Sequence, residues 1–205
     1  MQAAWRDSVV DYIRQEATPA DKFGHQPRLY ALTCRISGSS PELGVCDDDV
    51  LFAAAWMHDL GVFLGHRPAD PVELAVWNHV PYTIDRSREL LAGWGFPTEK
   101  LEAVAETIRT HEAKYEPLLP EAVVLRAADI LEQLGAIGAL RAFVKVGRDT
   151  RYATYSDALP VLERALASLP GQLRLAASLE LAQPRLAALQ AFLMAIEAEA
   201  EGRLF

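Results

Sequence analysis

Several residues able to bind a metal sit where apolar side chains would be expected. His25 precedes Leu29, Leu32 and Ile36 at steps of four, three and four, so it continues the inward face of one helix. His79 continues Val72, Ala75 and Val76 in the same way, His111 continues Leu101, Val104 and Ile108, and Asp129 follows Leu125 by four beside Ala128. A single buried imidazole is ordinarily satisfied by a backbone carbonyl. A buried carboxylate is harder to satisfy, and Asp129 requires a cation, a dense set of hydrogen bonds or a raised pKa. Separate helices each send a ligand-capable group inward, and one shared metal ion satisfies all of them. His58 and Asp59 strengthen this reading, because adjacent residues at a helix end project about 100° apart and can both reach one ion from the same wall.

Imidazole nitrogens with carboxylate oxygens, and no thiolate, suit Mn(II), Fe(II), Co(II), Ni(II) or Zn(II) better than Mg(II) or Ca(II). Manganese or iron is the expected ion, with nickel, cobalt or zinc as alternatives. The expected ligands are His25, His58, Asp59 and Asp129. His79 and His111 are expected to serve either a second ion or the substrate. His66 lies in a Gly-His-Arg-Pro loop and is expected to face solvent.

The elements that must position these groups read as helical throughout. β-Branched alternation is rare, and apolar residues recur at helical spacing between Pro and Gly breaks. The fold class is all-α, expected as a single compact multi-helix bundle over residues 1–205, with 156–205 as C-terminal helices packing on the core. Trp5, Val9, Tyr12 and Ile13 form a first stripe, and a second ends at Gly38. A third helix begins near Asp49 and runs to Gly61. Thr98 reads as an N-cap, and Glu121 to Phe143 as one long helix in which Gly135 and Gly138 allow a neighbour to approach closely. From Ser156 onward two or three Ala/Leu-rich helices are expected, with Pro170-Gly171 as a break and Pro184 as a start or kink.

Composition narrows the function classes. A chain of 205 residues with 51% hydrophobic and 23% charged residues has the makeup of an ordinary globular protein and no sign of wholesale disorder. The apolar runs are too short or too interrupted for a membrane span, and Arg6, Asp7 and Asp11 break the apolar core that an export signal needs. The cytoplasm is the expected location. Cys34 and Cys46 belong to no metal or disulfide framework. A net charge of -8 argues against an extended nucleic-acid surface, while a bound metal could still supply local positive charge for a small anionic substrate.

The order His25, then Trp-Met-His58-Asp59-Leu-Gly, then Asp129 resembles the H…HD…D signature of the HD-domain superfamily of metal-dependent phosphohydrolases. His25-Gln-Pro-Arg28-Leu is similar to that family's H-x-x-R-V run. The segment from Ala128 through Asp129, Glu132 and Gly-Ala-Ile-Gly to Arg141-Ala-Phe resembles the corresponding run of one bacterial branch. This chain carries Ala127, Ile130 and Asp21-Lys22 where that branch usually has Asp, Arg and a His-Asp pair.

The resemblance implies a phosphohydrolase acting on a small phosphate ester or a nucleotide, by attack of a metal-bound hydroxide on phosphorus. Cations should grip the other phosphate oxygens, and Arg28, Lys114 and Arg141 are the candidates. Glu132, on the face of Asp129, is a candidate to orient a ligand or transfer a proton. Two alternatives are retained. The six groups His25, His58, Asp59, His79, His111 and Asp129 also match the ligand order of HD-fold di-iron oxygenases. A domain that binds a nucleotide as a regulator without turning it over is the second.

Overall fold

Val50 to Met57 are all apolar and all buried, so the helix that carries them must be covered on every side. In the computed structural model, which describes residues 4–148 and 152–204, that helix is α3 (Asp48–Met57). It packs against α1 (Ala4–Glu16), α2 (His25–Gly38) and α6 (Leu101–Arg109), and α6 packs on α5 (His79–Gly93). A short α4 (Pro71–Ala75) precedes α5. The remaining helices are α7 (Pro120–Glu132), α8 (Gly135–Phe143), α9 (Tyr155–Ser168) and α10 (Ala176–Ala200). The described residues form these helices, short 3-10 turns and loops, with no strand, and the protein is all-α as its sequence indicates. No helix among them is long and apolar enough to cross a membrane.

The chain divides into two compact units, Met1–Ala128 and Asp129–Phe205, and the division falls within α7. In the first unit, the start of α3 is fixed by charge. Asp47 caps the helix by accepting the Asp49 and Val50 amides, and its carboxylate and that of Asp49 both meet the Lys100 ammonium at 2.8 Å. Arg6 reaches Asp48 at 2.8 Å and Asp49 at 2.7 Å, tying α1 to the same turn. Below this, Trp5 meets Phe52 and Phe96 edge-on, at ring separations of 5.5 and 4.8 Å. The second unit is built from α8, α9 and α10 packed on one another, with Phe143 contacting Tyr155 and Phe192. A reciprocal capping box between Thr154 and Asp157 starts α9, and Pro184 lies inside α10.

Several expected boundaries are corrected. Residues 121–143 are two helices: Gly135 adopts φ +74°, and a Cβ there would stand 3.1 Å from that of Arg185. A Cβ on Gly138 would lie 2.2 Å from the Gln133 carbonyl oxygen, so its close neighbour is the preceding turn of its own chain. Thr98 caps nothing; it opens a 3-10 turn, Thr98–Lys100, and α6 begins at Leu101. The stripe Val72-Ala75-Val76-His79 is not one helical face. Val72 and Val76 are exposed, α4 ends at Ala75, and His79 opens a new helix capped by the Asn78 side chain.

Candidate metal centre

The buried α3 stops at Met57, His58 forms its C-cap, and the chain turns at Asp59 into a 3-10 turn over Leu60–Val62. Both side chains therefore leave from the end of the most enclosed helix of the first unit. His58 is 1% exposed. Its Nδ1 lies 3.0 Å from the Ala55 carbonyl oxygen, which can only accept, so Nδ1 donates there and Nε2 is the nitrogen turned to the site. His111 repeats the arrangement: it is 3% exposed, with Nδ1 2.6 Å from the Ile108 carbonyl oxygen. It lies two residues past the end of α6, rather than within the helix, and is buried there.

His25, the first residue of α2, brings its Nε2 to 3.3 Å from that of His58. Asp59 is shared between two sides. Its Oδ2 lies 3.5 Å from His58 Nε2 and 3.9 Å from His25 Nε2, while its Oδ1 lies 3.7 Å from His79 Nε2. The His79 and His111 rings meet at 5.9 Å, and those of His58 and His111 at 5.0 Å. One ligand atom each from His58, Asp59 and His111 lies within 4.8 Å of the others, a group that could hold a metal ion. Burial pushes the Asp59 carboxyl up, but the charges of His58, His25, Lys22 and His79 outweigh it and hold the group well below the usual carboxylate range. An ionised carboxylate beside imidazoles whose Nε2 atoms face it is a donor set that fits a divalent transition metal, which would take the place of the imidazole protons.

The first unit therefore brings together His25, His58, Asp59, His79 and His111. Asp129, the first residue of the second unit, stands in the last turn of α7 and accepts a hydrogen bond of 3.0 Å from the Gln133 side chain. Arg28 lies one turn into α2, its guanidinium over Gly24. Lys114 is exposed and paired with Glu112 at 2.8 Å, which raises the ammonium pKa. In the second unit, buried Glu132 has the Arg141 guanidinium 3.9 Å away, and the same Arg141 donates to the Glu132 carbonyl at 3.3 Å. Lys22 was not among the expected cations, although its field acts on Asp59; its place three residues before His25 was the available signal.

His66 does not face solvent. Its side chain is 7% exposed, with Nδ1 2.7 Å from the Tyr82 hydroxyl and Nε2 2.9 Å from Glu16. The Gly65 turn, at φ +93°, directs the loop back onto α1 and α5, where each ring nitrogen finds a partner.

The HD domain family model matches residues 23–134, more than half of the chain. The chain belongs to the HD domain family. HD domains bind divalent metals, and the cluster described above lies within the matched residues. This HD domain is similar to solved structures along nearly its whole length. Bacillus subtilis YpgQ superposes with a TM-score of 0.70 at 21% identity, covering 97% of each chain. YpgQ in complex with ADP gives 0.70 at 22% identity, covering 95% of this chain and 94% of that one. An HD-superfamily hydrolase from Bacillus thuringiensis gives 0.67 at 17% identity, covering 97% of both. Likeness at these identities shows the fold alone, which this chain shares with these structures. No curated protein sequence matches the chain.

Proposed function

We propose that this protein is a metal-dependent phosphohydrolase acting on a small phosphate ester, with a nucleotide as the favoured class. The observation that carries the reading is the orientation of His58: its Nδ1 donates to Ala55, and its Nε2 faces His25 and Asp59. In this reading His25, His58, Asp59 and Asp129 hold one transition-metal ion, manganese or iron, the last of these assigned on the family signature. Such an ion, when bound, lowers the pKa of a water ligand and polarises a phosphoryl oxygen.

The protein's own residues bind and orient. Asp59 stays ionised across the neutral range, so it can serve as a ligand without first losing a proton. His111 donates at Nδ1 to Ile108 and can hold a proton or a ligand only at Nε2. Arg28, one helical turn from His25 on the same helix, is assigned the grip on the phosphate for that position. The ADP held by YpgQ supports a nucleotide as the substrate class.

The test is a phosphate-release screen of purified protein against nucleotides and phosphomonoesters with Mn(II) added, run beside an oxygen-uptake assay with Fe(II). Phosphate release that a chelator stops supports the reading. Iron-dependent oxygen uptake without phosphate release would assign the protein to the oxygenases. Nucleotide binding without either activity would make it a regulator.

A further inference from the structure

Gly61, two residues beyond Asp59, has both backbone polar groups engaged by side chains that flank His79. The Thr83 hydroxyl, one helical turn after His79, accepts the Gly61 amide at 3.0 Å. The indole Nε1 of Trp77, two residues before His79, donates to the Gly61 carbonyl at 2.9 Å. Contact is close enough that a Cβ on Gly61 would lie 2.9 Å from the His79 carbonyl oxygen and from Thr83 Oγ1. Thr83 is completely buried, so no water can replace its hydroxyl. His79 itself is at the first position of α5, where few intrahelical bonds restrain it. The two side-chain bonds to Gly61 bracket His79 on both sides and set how far α5 stands from the turn that carries Asp59.

We infer that Thr83 and Trp77 are positioning residues for the metal centre: by clamping Gly61 they hold His79 Nε2 opposite Asp59 Oδ1, the oxygen turned away from His25 and His58. His79 thereby fixes the rotation of the Asp59 carboxylate, and the clamp acts on metal affinity through His79. This rests on the metal-centre reading above and adds residues outside the proposed ligand set.

The experiment is a double-mutant cycle read as Mn(II) affinity by chelator competition, with thermal midpoint measured on every variant. His79→Ala should weaken Mn(II) binding about tenfold, as loss of a side chain that orients a ligand does. Thr83→Val removes the acceptor while keeping the shape, and should weaken binding roughly three- to tenfold; Thr83→Ser should restore it. In the His79→Ala background Thr83→Val should have no further effect on affinity. Trp77→Phe enters the same cycle if Thr83→Val does not fold. Additive losses, or an unchanged affinity in the clamp variants beside a weakened His79→Ala, overturn the inference and leave the metal centre standing. A parent protein that binds no Mn(II) overturns the metal-centre reading itself.

Discussion

The Nε2 atoms of His25 and His58 stand 3.3 Å apart, and the Nδ1 of His58 is engaged by the Ala55 carbonyl behind it, which leaves Nε2 as the nitrogen turned to the site. A divalent ion bound there would be a partner that both nitrogens can donate to.

His58→Ala and Asp59→Ala should therefore lose metal and activity together. Loss of partners behind a ligand already costs 10- to 100-fold in affinity, so removing a ligand should cost on the order of 100-fold or more. Helical content by circular dichroism should remain close to the parent's, since α3 is held by Val50–Met57 and the charged clasp at its start. Near-normal turnover in either variant would contradict the assignment.

Activity and bound Mn(II) should fall together below about pH 6. The sign follows from the groups involved. The Asp59 carboxyl is held well below its usual range by the imidazoles and Lys22, against the opposing effect of burial, and stays ionised there. Protons therefore compete at the histidines, and because at least two must deprotonate, the limb should be steeper than one titration gives. Raising Mn(II) should shift it to lower pH by mass action. Rate and bound metal measured from pH 5 to 8 at two Mn(II) concentrations check this; a shallow limb indifferent to metal would contradict it.

The clasp at the start of α3 predicts a separate pH effect on stability. Hydrogen bonding to Lys100, with help from Arg6 and against partial burial, lowers the Asp49 carboxyl pKa. A carboxyl whose folded pKa is depressed stabilises the fold above its unfolded pKa, near 4, and loses that contribution as pH falls through the folded value. Lys100→Met should lower stability at pH 7 by roughly 0.2–1 kcal/mol, the range for partly exposed pairs. The difference in thermal midpoint between variant and parent should shrink as pH drops from 6 toward 3. A constant difference would show that Lys100 acts through its alkyl chain.

Gly135→Ala should destabilise the protein by roughly 1–2 kcal/mol, because the left-handed backbone at φ +74° disfavours a side chain, and the added Cβ would also press on Arg185. Urea denaturation of variant and parent measures it. Equal midpoints would mean that the junction of α7 and α8 relaxes without strain.

The sequence made the centre of the fold legible because both signals there are local. Val50–Met57 is apolar without interruption, and the four-three-four spacing after His25 marks one face. The stripe through Val72 and Val76 is solvent-exposed and does not position His79; what carries His79 toward Asp59 is a new helix start capped by Asn78, with Trp77 bonded to Gly61. The break at Gly135 was hidden because Gly within an apolar period reads equally as a tolerated helix residue or a left-handed turn. The burial of His66 was not legible, since Glu16 and Tyr82 are 50 and 16 residues away and only the folded chain brings them to its ring.

The central claim is tested most directly by titrating metal-free protein with Mn(II) while recording bound metal and phosphate release from a nucleotide in the same samples. The account predicts that the rate rises in proportion to bound Mn(II) and levels off near one ion per chain, that a chelator reverses it, and that His58→Ala shows neither binding nor rate. Phosphate release that is already complete without metal, or a rate that ignores occupancy, would contradict it.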